Sequence, residues 1–246
     1  MELRGRVALV TGGGRRVGRA LALALGERGA TVAVHFNDSS DGAADVVQEI
    51  ERGGGHARAF GAQLTNPEAP AALVQQSVDA FGHLDVLINS AAIMVRSPFG
   101  EVDAATWDRM FALNLRAPFF LAQAAAPHLR RVRGAIVNIA DLAAFETWPG
   151  YLPHGLTKGG VVQMTRGLAR VLAPDVRVNA IAPGTVLLPD DWSTADAERL
   201  NNTTPLQRSG TPADVVAAML YLLDAEYVTG ETIVVDGGRH VRGSTT

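Results

Sequence analysis

The feature that most constrains this chain is its opening segment. An apolar run, Val7-Ala-Leu-Val10, leads into Thr11-Gly12-Gly13-Gly14-Arg15-Arg16-Val17-Gly18, and an Ala/Leu segment then runs on to Gly29. A short Val-rich run closed by glycines reads as a buried strand, and the apolar spacing from Val17 to Arg28 predicts a helix packed back on it. Residues without a Cβ let backbone N–H groups approach a phosphate, and the positive end of the helix dipole faces the same anion. Arg15 and Arg16 add full charges at that turn. Such a turn can also do no more than let a helix pack closely on a strand. The next apolar run, Thr31-Val-Ala-Val-His-Phe36, follows at the spacing a strand-helix-strand unit requires and favours the phosphate cradle.

The alternation continues to the end of the chain. Helices are expected over Ala43 to Arg52, Pro67 to Phe81, Thr106 to Leu129, Leu152 to Leu172 and Pro212 to Leu223. Strands are expected over His56 to Gly61, Leu84 to Asn89, Ala135 to Ile139, Val176 to Ala182 and Thr232 to Asp236. Strands alternating with helices of this length predict one α/β domain, a doubly wound (Rossmann) seven-stranded parallel sheet with helices on both faces. In that architecture ligands sit outside the C-terminal ends of the strands, where the strand order reverses. The one long irregular stretch, Gly184 to Gly210, is of a length that marks either a lid or a disordered segment, and its Leu187, Leu188 and Trp192 favour a lid over a substrate pocket.

Charge and composition narrow the partners. A net charge of −3 gives no concentrated basic surface for nucleic acid. The absence of cysteine excludes a disulfide framework and thiolate chemistry, and no uncharged stretch reaches the ~20 residues of a membrane span. The chain reads as a cytoplasmic protein acting on a small molecule. Its six histidines are scattered without ligand spacing, so no metal site is expected.

The strand ends bring a set of polar residues to one edge: Asn89 after the fourth strand, Asp141 after the fifth, and His154 and Lys158 early in the following helix. Asn114 lies inside the helix before the fifth strand. His154 and Lys158 share a helical face. Such a pair can be an ordinary exposed one, or it can face a ligand at the sheet edge.

Over Val7 to Arg242 the chain resembles the short-chain dehydrogenase/reductases. The motifs are Thr11 to Gly18, Asn89-Ser-Ala-Ala92, Asn114 to Phe119, Val137 to Asp141, Lys158, Arg177 to Gly184, Val228-Thr-Gly230 and Asp236-Gly-Gly238. Within that family it is similar to the pteridine reductases and dihydromonapterin/dihydrofolate reductases, because Arg16 replaces a glycine and Asp141 a serine. The resemblance implies hydride transfer between a nicotinamide dinucleotide and a carbonyl or pteridine-like substrate. It implies that Asn114 holds a relay water, Asp141 bonds the substrate, and Lys158 bonds the nicotinamide ribose. Gly12, Arg15, Arg16, Val17, Gly18, Phe36, Asn37, Ser39, Gln63, Leu64, Asn89, Ala91, Pro183 and Gly184 would line the cofactor.

One position departs from the family. Its proton-donating tyrosine is His154 here. Three readings follow: His154 donates the proton; Asp141 or Tyr151 and water supply it; or the chain binds dinucleotide with little catalysis, as a sensor or oligomer partner. Strand two ends in Phe36, not in the acid that would repel a 2′-phosphate, so NADP(H) is expected over NAD(H), although Asp38 stands close by. The resemblance also implies a homotetramer or homodimer joined through the two long helices. Arg239 to Arg242 could reach a neighbouring active site.

Overall fold

The computed structural model describes residues 1–187, 195, 198, 201–202 and 204–241. Seven strands, β1 (Val7–Val10), β2 (Thr31–Phe36), β3 (His56–Gly61), β4 (Val86–Asn89), β5 (Ala135–Ile139), β6 (Arg177–Pro183) and β7 (Thr232–Val235), form one sheet. Every pairing is parallel and the order is β3-β2-β1-β4-β5-β6-β7. The strand order therefore reverses between β1 and β4, which opens a crevice at their C-terminal ends.

Each central strand feeds two cores. Ala8, Val10, Val32, Val34, Val86 and Ile88 face helices α1 (Arg16–Glu27), α2 (Ser40–Arg52) and α7 (Pro212–Asp224). Val7, Leu9, Ala33, Leu87 and Ile136 face α3 (Ala69–Phe81), α5 (Ala117–Val132) and α6 (Leu152–Leu172). Successive side chains on a strand point to opposite faces, so a strand covered on both sides must be apolar throughout, which is why these runs lack a polar alternation. No helix among the described residues is long and apolar enough to cross a membrane.

The expected helix from Thr106 to Leu129 is not continuous. It divides into α4 (Ala104–Phe111), a π turn over Ala112–Arg116, and α5. Pro118, in the first turn of α5, has no N–H to give, and the wider turn ahead of it holds Asn114. Helix α2 begins at Ser40, ahead of the expected Ala43, and α3 at Ala69, behind the expected Pro67. Leu188 and Trp192, the residues behind the lid reading, lie outside the described residues, as does Arg242.

Candidate active site

The turn between β1 and α1 is held from three sides. Thr11 Oγ1 accepts hydrogen bonds from Ser90 N and Ala91 N at 2.9 and 3.0 Å, which ties the turn to the end of β4. Gly12 has φ +65°, and a Cβ there would lie 3.0 Å from Ala91 Cα. A Cβ on Gly18 would strike the Gly12 carbonyl oxygen. These positions admit only glycine, and the loop presents bare backbone at the mouth of α1, whose first-turn amides have no helical carbonyl to bond. A cradle of this form fits a diphosphate.

Beneath the cradle lies a residue that local sequence pattern does not reveal. His35 of β2 is buried; its Nδ1 accepts from Gly12 N at 3.1 Å and its Nε2 stands 2.9 Å from Ala62 O. A carbonyl can only accept, so the Nε2 atom carries the proton and the ring is neutral. Burial pushes the imidazole pKa down, against a smaller upward pull from Ala62. Only the alternation of β2, which turns His35 toward the glycine loop, could have pointed to it.

Around the cradle, Ser39 touches Gly14, where a Cβ would meet its carbonyl and hydroxyl oxygens at 3.2 Å. Phe36 lies against Gly61, Leu64 is buried, and Asn37 and Gln63 are exposed at the same end of the sheet. Arg15 is extended just before the helix and Val17 packs against the first core. Arg16 takes φ +50°, the left-handed region, and its guanidinium donates to Leu187 O at 3.2 Å, in the segment after β6. Asn89 is buried at the end of β4, donating to Asn138 Oδ1 at 2.9 Å, and Asn138 donates on to Thr165.

The second group sits across the crevice. Asn114, in the π turn, grips the Ile93 peptide at both ends: its Oδ1 accepts from Ile93 N and its Nδ2 donates to Ile93 O, each at 2.9 Å. Its Nδ2 also donates to Thr157 Oγ1. His154 is 2 % exposed, so it is not a surface member of an i, i+4 pair. Its Nδ1 lies 3.3 Å from Ile93 O, and its Nε2 lies 3.6 Å from Asp141 Oδ2 without a hydrogen-bond partner. Asp141 is oriented by Ala143 N, which donates to its Oδ1 at 2.8 Å. Lys158 is buried, and its Nζ donates to Ile139 O at 2.8 Å. Burial lowers the lysine pKa, while the Asp141 charge pulls it back up.

Residues 13–240 match the model of the family described as enoyl-(acyl carrier protein) reductase. The chain is 35 % identical over 240 residues to the 3-oxoacyl-[acyl-carrier-protein] reductase FabG of Staphylococcus aureus, covering 95 % of this chain and 98 % of that enzyme. The chain belongs to the short-chain dehydrogenase/reductase family. Versicolorin reductase 1 of Aspergillus parasiticus is likewise 35 % identical, over 96 % of this chain and 97 % of that one. Among solved structures, a short-chain alcohol dehydrogenase from Sinorhizobium meliloti 1021 superposes with a TM-score of 0.93 at 35 % identity, over 98 % of this chain and 99 % of that one. The angucycline C-6 ketoreductase LanV with bound NADP superposes at 0.90 and 32 % identity, over 98 % of each.

As a short-chain dehydrogenase/reductase, the molecule carries two linked clusters. Pro183 and Gly184, at the end of β6, lie beside the second, since a Cβ on Gly184 would lie 3.7 Å from Leu142, the neighbour of Asp141. Tyr151 closes a short 3-10 turn and its ring meets Trp148 edge-on. Among the described residues no group of acids and histidines could hold a metal ion. Arg239 binds Glu146 of its own chain.

Proposed function

We propose that the chain is an NADP(H)-dependent reductase of a carbonyl or pteridine-like substrate in which His154 gives the proton. One observation carries the reading: a buried imidazole nitrogen without a hydrogen-bond partner lies 3.6 Å from the carboxylate of Asp141. With Nδ1–H on the Ile93 carbonyl, Nε2 is the atom that takes up and releases the working proton. When bound, the nicotinamide supplies hydride chemistry. Lys158 holds the ribose and Asp141 bonds the substrate. The side chain of Asn114 is committed to Ile93 and Thr157, so a relay water falls to its main-chain carbonyl in the π turn.

The cradle of Gly12 to Gly18 would take the diphosphate, with Arg15, Arg16, Asn37 and Ser39 about the adenosine side, Gln63 and Leu64 at the adenine, and Asn89, Ala91, Pro183 and Gly184 along the nicotinamide side. The lack of an acid at Phe36 favours a 2′-phosphate. Two surfaces support a homotetramer. One is a groove of about 940 Å³ between Thr65, Phe111, Leu115, Phe119, Phe120 and Met164. The other is the half-exposed edge strand β7, beside exposed Tyr221 and Tyr227.

Titration with NADPH and NADH, followed by single-turnover reduction of 7,8-dihydrobiopterin and of an aromatic ketone between pH 5.5 and 8.5, tests the reading. We expect tighter NADPH binding, a hydride step that rises toward acid pH, and a loss of about 100-fold in His154→Ala. Equal or weaker NADPH binding overturns the cofactor preference. A flat profile, or full activity in the variant, removes His154 as the donor.

A further inference from the structure

The last described turn, Arg239–Val241, is rooted in the strand ends and reaches across to the segment between β5 and α6. Asp236 organises it: Oδ1 accepts from Gly238 N at 2.9 Å, Oδ2 accepts from His240 N at 2.7 Å, and Oδ2 lies 2.8 Å from His240 Nδ1. The Asp236 stem packs on Gly184, where an added Cβ would lie 2.8 Å from Asp236 Cβ. From this base Arg239 makes a two-pronged contact with Glu146, NH2 to Oε2 at 2.9 Å and Nε to Oε1 at 3.2 Å. Trp148 Nε1 donates to the same Oε2 at 2.8 Å, and the Arg239 guanidinium carbon lies 5.6 Å from the Trp148 ring centroid.

Glu146 and Trp148 lie on the only stretch of chain between Asp141 and His154. Its near end is held locally by Ala143 N on Asp141 and by Glu146 N on Leu142 O, and its far end by Ser97 N donating to Gly150 O at 2.7 Å. The middle is held by Arg239. An exposed single-point ion pair contributes little, but both side chains here are about one-fifth exposed (21 % and 22 %), the fork is bidentate, and the indole closes it into a network.

We propose that Arg239 is a positioning residue: through Glu146 and Trp148 it latches the 142–151 segment as the wall of the substrate site. This rests on the reading of Asp141 and His154 as the reacting groups. Asp141 is oriented by Ala143 and His154 is seated in α6, so release of the latch moves the wall more than the chemistry. The effect therefore falls on substrate binding, through a residue supplied by the far end of the chain.

The test compares Arg239→Ala, Arg239→Glu and the exchanged pair Arg239→Glu/Glu146→Arg. It uses amide hydrogen exchange, NADPH binding by fluorescence, and steady-state reduction of 9,10-phenanthrenequinone as probe. We expect Arg239→Ala to speed exchange over 142–151 by about tenfold and to raise KM for the quinone by about tenfold. Exchange in the Gly12–Gly18 loop, the NADPH Kd and kcat stay within about threefold. The exchanged pair recovers part of the lost protection and part of the KM relative to Arg239→Glu. Unchanged exchange over 142–151 in Arg239→Ala, or an exchanged pair no better than Arg239→Glu, overturns the latch. Failure of the unaltered protein to bind NADPH would instead defeat the proposed function, with the exchange measurements still deciding the latch.

Discussion

Replacing His35 with asparagine should flatten the dependence of stability on pH below the ordinary imidazole range. In the folded chain His35 is neutral, accepting from Gly12 N and donating to Ala62 O, and burial holds its pKa below the usual value of about 6.5. Protonation would set an Nδ1–H against the Gly12 N–H, forfeiting one hydrogen bond and leaving a buried donor facing a donor, at a cost of about 1–3 kcal/mol. The sign follows from linkage. A histidine whose folded pKa is depressed contributes stability that is fully present above the unfolded value and is lost as pH falls toward the folded one. Urea unfolding of both proteins between pH 7.5 and 5.0 measures it. Asparagine can still accept from Gly12 but is too short to reach Ala62, so the variant should be less stable by about 1 kcal/mol at pH 7.5. The gap should close as the pH falls, because only the unaltered protein carries the position-35 imidazole that titrates there, the other histidines being common to both. Under the proposed function, which puts the diphosphate on the Gly12 loop, dinucleotide affinity should weaken over the same window in the unaltered protein. Parallel stability curves for the two proteins would refute the assignment of His35 as the neutral strut of the cradle.

Two other substitutions read separate parts of the fold. Arg16→Gly removes an L side chain from φ +50° at the expense of one exposed bond to Leu187 O, so thermal unfolding should show a gain of about 0.5–1 kcal/mol while calorimetry shows weaker NADPH binding; a lower melting temperature would contradict the strain. Arg177→Met strips the guanidinium from the carbonyls of Leu222, Leu223 and Ala225 at 2.6, 2.8 and 3.0 Å, where it closes the C-terminus of α7, and should cost about 2 kcal/mol in urea unfolding; an unchanged midpoint would show that water replaces it freely.

The parts of the site legible in the sequence are those whose conformation is decided by neighbours along the chain. Thr11 to Gly18 announces its own turn because Gly12 and Gly18 occupy places where a Cβ cannot go. Arg16, expected from the resemblance to stand in place of a glycine, has the left-handed backbone a glycine readily takes. The π turn at Asn114 was not legible, because its residues have ordinary helical spacing and differ only in which carbonyl each amide reaches.

Residue order and periodicity determined the strands, the helices, the parallel sheet and the edge at which Asp141, His154 and Lys158 gather, since these follow from local backbone preference, the two-sided burial of the strands and the one-sided burial of the helices. Only the tertiary structure decided that His35 props the glycine loop, that His154 is enclosed with one nitrogen on the Ile93 carbonyl, and that Arg239 fastens Glu146. Those contacts join residues far apart in the chain, and their energy depends on a distance and a degree of burial that exist only once the sheet and its helices have packed.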